Sequence, residues 1–370
     1  MRPLERVLII AGGTGGHVFP GLAVAHALQA HGIQIEWLGT PTGIEAQLVP
    51  AANIPITYIK VRGLRGMGWQ RWLRAPFDLM SALLTALKLL KNYKPDLVIG
   101  MGGFSAGPAG VACLLTRVPL VIHEQNSIAG FTNRVLTHWA KKTLLGLPQA
   151  DHSHALKQGV VTGNPVRTTL LQMMPPAQRF QERTGALRIL VLGGSQGALA
   201  LNNLIPQALA KVDIAQVMGK GIEVWHQTGP RLIELAKKAY SALSPSAPIE
   251  VRLVPFIDDM ADAYGWADLV ICRSGALTVA ELAVAGMPAL LIPFPAAIDD
   301  HQTYNALYLV KTGGARLLPQ RKLTAEQLAE LIQQLGSDRQ LLQQMAVATH
   351  TAGYPRATET IIKEIMDLQL

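Results

Sequence analysis

Short apolar runs that end in glycine or polar turns recur along the chain and alternate with stretches of helical periodicity. The first series reads RVLIIAGG, IQIEWLGT, ITYIKV, DLVIGMGG, PLVIHEQN, KTLLG and GVVTGNP. Runs of four to six apolar residues bounded by turns, with helices between them, predict parallel strands joined by crossover helices. After Pro165 the rhythm restarts with RILVLGGS, IEVWHQTG, IEVRLVPF, DLVICRSG, PALLIPFP and ARLLPQ. The pattern therefore predicts two similar α/β halves, joined near Gly163, Asn164 and Pro165, with a linker through Pro175 and Pro176. In FDLMSALLTALKLLKNYK, residues Leu79, Met80, Leu83, Leu84, Leu87 and Leu90 recur at helical spacing, which predicts an amphipathic helix facing the core. The final segment, TETIIKEIMDLQL, reads as a helix able to pack on either half.

At 370 residues, 49% hydrophobic and 16% charged, the chain is long enough for two globular cores and is not of disordered composition. Cys113 and Cys272 lie in apolar stretches and suit buried thiols in a reducing cytosol better than a disulfide or a metal knuckle. The apolar part of MRPLERVLIIAGG is too short for a signal-peptide core, and no run of 18 apolar residues suits a membrane span. The expectation is a protein that stays inside the cell.

Charge is unevenly spread. Met1 to Pro165 holds 15 Lys and Arg against 7 Asp and Glu, whereas Val166 to Leu370 is balanced at 18 against 18. The densest basic segment, VRGLRGMGWQRWLRAP, interleaves Arg62, Arg65, Arg71 and Arg74 with Trp69 and Trp72. Indole and guanidinium groups suit the headgroup layer of an anionic leaflet. Nucleic acid ranks lower as a partner, because no motif for it accompanies the basic residues.

Ligands of open parallel sheets bind at the carboxyl ends of strands, which directs attention to the turns. GGTGGH, Gly12 to His17, packs four glycines and Thr14 between strand and helix, so that main-chain N–H groups can approach an anion. It is neither a GxGxxG fingerprint nor a Walker A sequence, and a plain tight turn is the alternative. His17 offers either an imidazole able to accept a proton or a cap for the loop. GGSQG repeats the cradle with Ser195, and RSGALTVAE adds a helix start at Ala276, Leu277 and Thr278. Two such turns on one half suit a diphosphate. Glu281 could then accept from a ribose diol or lie on a solvated face. No Asp-x-Asp pair is present to hold a divalent ion under a diphosphate; Asp258–Asp259 and Asp299–Asp300 read as turn or capping residues.

Together these blocks resemble the bacterial MurG glycosyltransferase family, which adds N-acetylglucosamine (GlcNAc) to lipid I. The similar stretches are GGTGGHVFPGLAVA, MGGFSAGP, HEQNSIAGFTN, GNPVR, GGSQGA, FIDDM, RSGALTVAE and DDHQTYNA, nearly end to end. The resemblance implies a GT-B fold: two Rossmann-like parallel-sheet domains facing across a cleft. Residues 1–165 with a final helix at about 354–370 would bind acceptor and membrane, and residues 166–353 would bind UDP-GlcNAc. By the same resemblance Ile257 would meet the uracil edge through its backbone, with Phe256 beside the base. Ser195 and the turn Ala276, Leu277 and Thr278 would face the phosphates and Glu281 the ribose, with Val279 and Ala280 also among the substrate-binding residues. Asn126, Gln302 and Asn305 would read sugar hydroxyls, and Arg167 would lie near the donor. Thr14, Gly15 and Gly16 would border the point where sugar meets acceptor, and the turn from Gly102 to Pro108 would shape the acceptor diphosphate site.

The implied reaction is an inverting transfer from UDP-GlcNAc to the C4 hydroxyl of the muramyl sugar of lipid I, giving lipid II for peptidoglycan. His17 is the expected base and Glu124 the reserve. No cofactor is expected to be required, with Mg²⁺ at most stimulatory. The enzyme would work peripherally at the cytoplasmic face of the bacterial inner membrane, bound to its anionic surface, with other cell-wall synthesis proteins as partners and no nucleic acid. The rivals are a UDP-GlcNAc 2-epimerase and a catalytically silent UDP-sugar-binding subunit.

Overall fold

The computed structural model describes residues 3–61, 69–150, 156, 159–181 and 183–369, with the backbone alone at residues 69–75. The chain divides into two compact units, Met1–Val166 with Arg356–Leu370, and Arg167–Pro355.

The first unit is a parallel sheet of β1 (Arg6–Ile10), β2 (Gln34–Gly39), β3 (Ile56–Tyr58), β4 (Leu97–Gly100), β5 (Leu120–Glu124), β6 (Lys142–Leu145) and β7 (Gly159–Val161). These strands coincide with the first series of apolar runs. Their order in space is β3-β2-β1-β4-β5-β6-β7, so the chain winds outward from β1 in one direction and from β4 in the other. Helices α1 (Gly15–Ala30), α2 (Glu45–Ala51), α3 (Trp69–Tyr93), α4 (Ala106–Thr116) and α5 (Phe131–Leu136) form the crossovers. Both faces of the sheet are covered, one side packing Val24, Ala25 and Leu28 of α1 and the other Ala82, Ala86 and Leu90 of α3. Central strands buried on both faces explain why these runs are continuously apolar instead of alternating.

The second unit repeats the plan with β8 (Leu187–Leu192), β9 (Ile222–Gln227), β10 (Ile249–Val254), β11 (Leu269–Cys272), β12 (Ala289–Leu291) and β13 (Ala315–Leu317), in the order β10-β9-β8-β11-β12-β13. Its helices are α6 (Pro176–Gln181), α7 (Leu199–Leu209), α8 (Ile233–Tyr240), α9 (Met260–Trp266), α10 (Ala276–Ala285), α11 (His301–Lys311), α12 (Ala325–Gly336) and α13 (Arg339–Thr351). One core cluster joins Leu201, Ile205 and Leu209 of α7 to Ile189 and Val191 of β8 and to Leu328 and Ile332 of α12. The last helix, α14 (Ala357–Met366), packs on α1 in the first unit: Ile361, Ile362 and Ile365 join its core, and Lys142 pairs with Glu364.

Helix α3 follows the expected core stripe at Leu83, Leu87 and Leu90 and departs from it at Leu79, Met80 and Leu84. Ala82, Ala86, Leu89 and Leu90 are its buried residues, whereas Leu79 (41%), Met80 (54%) and Leu84 (58%) are exposed, next to Phe77 at 77%. Ala82, Ala86, Leu89 and Leu90 join the core with Leu83 and Leu87 half-buried against it, so only the Leu79, Met80 and Leu84 part of the stripe turns away. Leu79, Met80 and Leu83 line an apolar cavity of about 410 Å³ with Pro108, Val111, Phe131 and Val135. Among the described residues no helix is long and apolar enough to cross a membrane. The Trp/Arg loop assigned to the membrane falls outside the description: Arg62 and Arg65 lie beyond the described residues, as do the side chains of Trp69, Arg71, Trp72 and Arg74.

Candidate functional site

The two sheets share one topological feature. In each, the strand order reverses between the first and fourth strands, β1 and β4 in one unit and β8 and β11 in the other. Ligands of open α/β sheets lie beyond the carboxyl ends of the strands at such a reversal. The four glycine-rich turns of the sequence follow those four strands.

In the first unit, the turn after β1 leads into α1, whose N-cap is Thr14; the Thr14 carbonyl accepts from the N–H groups of His17 and Val18. The N–H groups of Gly15 and Gly16 belong to the first turn, where a helix has no acceptor of its own to offer. Thr14 is exposed and Gly15, Gly16 and His17 are half-buried. The turn after β4 touches the turn after β1, since a Cβ on Gly103 would come 2.5 Å from the Gly12 carbonyl oxygen.

Beneath the glycine turn lies Glu45, wholly buried at the start of α2. Its carboxylate accepts from the N–H of Gly13 (3.0 Å), the N–H of Thr40 (2.8 Å) and the Thr40 hydroxyl (2.7 Å). Gly12, Gly39 and Gly43 leave the volume it occupies: a Cβ on each would approach the Glu45 side chain to 2.6, 2.7 and 2.0 Å.

Beside this turn, the end of β5 carries His123, Glu124, Gln125 and Asn126. Gln125, 1% exposed, places its Oε1 3.0 Å from His17 Nδ1. His123 is fully buried, with Nε2 3.1 Å from the Gly163 carbonyl. Burial holds its pKa down to about 4, so the ring is neutral. Glu124 accepts from the backbone and side chain of Asn126, from the N–H of Gly130 and from Asn133 Nδ2 at 2.8 Å. A buried carboxylate so completely engaged orders this loop and is a poor reserve base. Asn126 is half-buried, one amide hydrogen pointing at Glu124.

In the second unit, the turn Gly193–Gly197 follows β8 and exposes Ser195. Gly197 has φ +75°, and a Cβ there would meet the Thr228 carbonyl oxygen at 2.0 Å, so the turn sits directly on the end of β9. Gln227, at that strand end, bridges two places: its Nε2 donates to the Gly194 carbonyl (2.9 Å) and its Oε1 accepts from the N–H of Ile257 (3.2 Å). The backbone N–H expected at the uracil edge is therefore already bonded, and Phe256 beside it is 42% exposed.

After β11, Gly275 caps α10, whose opening residues Ala276, Leu277 and Thr278 carry the N–H groups a helix leaves without acceptors. Val279 and Ala280, expected among the substrate-binding residues, turn inward. Their side chains are buried at 0% and 6%, and the Val279 N–H already donates to the Gly275 carbonyl. Glu281 follows, with Arg167 Nε 3.7 Å from its Oε1 and the Tyr264 hydroxyl donating to its Oε2 at 3.4 Å. Burial raises the Glu281 pKa, while Arg167 and the Tyr264 bond pull it back. The Gln302 Oε1 accepts from the N–H of Phe294, and its carbonyl accepts from the Ser274 hydroxyl. Asn305 was expected at the sugar but is wholly buried, donating to the Ser274 carbonyl under the turn. Asp259 caps α9, as a capping residue should, and no three His, Cys, Asp or Glu side chains among the described residues converge as a metal site would require.

The glycosyltransferase family 28 N-terminal domain matches residues 7–145, and the C-terminal domain of the same family matches residues 188–361. The chain belongs to this family. A curated relative from Nitrosococcus oceani, 49% identical over 98% of each chain, is named UDP-N-acetylglucosamine–N-acetylmuramyl-(pentapeptide) pyrophosphoryl-undecaprenol N-acetylglucosamine transferase. One from Burkholderia pseudomallei, 49% identical over 96% of this chain and 94% of its own, carries the same name. The crystal structure of Acinetobacter baumannii MurG superimposes with a TM-score of 0.83 at 39% identity, over 98% of this chain and all of that one. The resemblance to the MurG glycosyltransferases is thus borne out, as is the α/β fold of two Rossmann-like parallel-sheet units. A UDP-GlcNAc 2-epimerase from Neisseria meningitidis, at 15% identity and a TM-score of 0.66, shares the fold alone.

Within this family 28 chain, the residues that hold the turns in place escaped the sequence reading. Glu45 has no motif around it and becomes visible only when Gly12, Gly39 and Gly43 meet. Gln125 and Gln227 did carry a signal, because each stands at the carboxyl end of a strand.

Proposed function

We propose that this family 28 glycosyltransferase moves GlcNAc from UDP-GlcNAc to the C4 hydroxyl of the muramyl sugar of lipid I, forming lipid II with inversion at the anomeric carbon. The observation that carries this reading is the repeated placement of glycine turns at the reversal point of both sheets, in a chain 49% identical end to end with transferases of that name. The second unit takes the donor. Ser195 and the first N–H groups of α10 meet the diphosphate, Glu281 the ribose, and Phe256 the base, with the Ile257 N–H reaching uracil by exchanging its bond to Gln227. Gln302, its amide oxygen engaged, donates to a sugar hydroxyl, and Asn126 and Arg167 complete the polar contacts.

The acceptor is held by the first unit, at Thr14, Gly15, Gly16 and the turn that follows β4. Its hydroxyl proton passes to His17 as the oxygen bonds the anomeric carbon, and the anomeric C–O bond breaks with its electron pair leaving on UDP. Fixed N–H dipoles stabilise the charge that grows on the diphosphate. The residues give no reason to require a resident metal; Mg²⁺ is at most stimulatory. A base placed in this way contributes roughly 10²- to 10⁴-fold.

Lipid I is membrane-bound, so the enzyme must reach the cytoplasmic leaflet. Phe77, Leu79, Met80 and Leu84, exposed together on α3 with Lys88, support peripheral attachment through that helix. Purified protein, UDP-GlcNAc and a short-chain lipid I analogue test the reading together. UDP release tied to a β-1,4-linked disaccharide is expected. Epimerised donor without acceptor, or no turnover by the protein alone, would sink it.

A further inference from the structure

The amide of Gln125 can point only one way. Its Nε2 lies 2.9 Å from the Met101 carbonyl oxygen and 3.2 Å from that of His123, and both can only accept. The same nitrogen lies 3.1 Å from His123 Nδ1. That ring is neutral and directs its Nε2 at the Gly163 carbonyl, so Nε2 carries the proton and Nδ1 is also an acceptor. Three acceptors around one atom identify it as the amide nitrogen, and the amide oxygen is left facing His17 Nδ1 at 3.0 Å. An amide oxygen has no proton to give, so the hydrogen between them belongs to the imidazole.

We propose that Gln125 is a positioning residue that fixes His17 as its Nδ1–H tautomer and so leaves Nε2 as the nitrogen that takes the acceptor's proton. The ring has little freedom to escape this arrangement, because it lies against Gly102, where a Cβ would come 2.8 Å from His17 Nδ1. His123 acts one step further back: its own fixed proton orients the amide. When Nε2 is protonated, Oε1 keeps its bond to Nδ1–H, so the imidazolium forms without rearrangement. The catalytic consequence rests on His17 being the base, as proposed above; the position of the proton rests on the Gln125 contacts alone.

The test uses the full chain labelled with ¹⁵N-histidine, whose long-range ¹H–¹⁵N correlations distinguish the two neutral tautomers, with His17→Asn assigning the signal. At a pH where the rings are neutral, His17 should show Nδ1–H and His123 the opposite pattern, Nε2–H. A His17 signal of the Nε2–H type overturns the proposal. In Gln125→Leu the His17 pattern should move towards Nε2–H, and kcat should fall by about 10- to 100-fold, as on loss of an outer partner that orients a functional histidine. UDP affinity, a property of the other unit, should stay unchanged. Should Gln125→Leu fail to fold, the wild-type spectrum still decides. A Gln125→Leu protein with unaltered His17 pattern and full turnover overturns the proposal. Full turnover by His17→Asn, with Nδ1–H seen in the wild type, overturns the base assignment and not the placement of the proton.

Discussion

Replacing Glu45 by Gln removes one oxygen from the buried carboxylate on which the glycine turn rests. If the remaining oxygen keeps its two bonds to Thr40, the new amide N–H₂ faces the N–H of Gly13, donor against donor. The loss is one charge-assisted bond, about 1.5 to 3 kcal/mol, together with an N–H left without its acceptor. Loosening is the alternative to outright unfolding, because Gly12 and Gly13 can move where a bulkier turn could not. At 1.36 kcal/mol for each factor of ten, a loss of that size expressed at the acceptor site lowers its kcat/KM by about 10- to 100-fold. The assay is steady-state transfer at varied acceptor with saturating UDP-GlcNAc, alongside calorimetric titration of UDP. UDP affinity should not change, since Glu45 lies in the other unit. An unaltered acceptor kcat/KM in a stably folded Glu45→Gln protein would refute the idea that this carboxylate shapes the turn.

Acid should weaken both units. His123 and His226 are held neutral by burial, with pKa values lowered to about 4 and about 3, whereas an imidazole in the unfolded chain takes its proton near 6.5. Above that pH neither state is protonated; below it the unfolded chain binds protons that the folded one refuses, and at pH 5 the penalty is roughly 2 kcal/mol for each histidine. Urea unfolding at pH 7.5 and pH 5 checks this, and an unchanged midpoint contradicts it. Gly197→Ala combines a left-handed backbone with a contact to the Thr228 carbonyl, and should cost at least about 2 kcal/mol and weaken UDP binding. Wild-type UDP affinity in that variant would show that the turn does not meet the nucleotide. Met80→Glu with Leu84→Glu should reduce partition onto anionic vesicles by tenfold or more while sparing UDP affinity, because each exposed apolar side chain stabilises insertion by about 1.5 to 3 kcal/mol. Equal partition would take α3 out of the membrane contact.

The strands were legible because each is a short, doubly covered apolar run closed by a turn, a pattern with few competing readings. Placing chemistry at Gly12, Gly193 and Ser274 followed from the same logic, since a parallel sheet presents its strand ends together. Long-range meetings were not legible. Glu45 bonds Thr40 close by, but its meeting with Gly12 and Gly13 joins distant parts of the chain, and Asn305 looks like a sugar-reading amide until its burial beneath the Ser274 turn is seen. The stripe of α3 misled in part: periodicity reports an apolar face, yet Leu79, Met80 and Leu84 are exposed while Ala82 and Ala86 join Leu90 in the core. Val279 and Ala280 sit in a suggestive run, yet one turn of helix carries them from the surface to the interior.

Helix α14 comes after the whole second unit in the chain, yet Ile361, Ile362 and Ile365 complete the interior of the first. During synthesis the seam that these three isoleucines fill in the first unit therefore stays open until the second unit has been made. Burying three isoleucines is worth several kcal/mol, about 1.5 to 3 for each. A truncated product cut before Ala357 would carry that exposed seam, and ribosome-stalled chains should gain resistance to proteolysis in residues 3–61 only once the last helix has emerged.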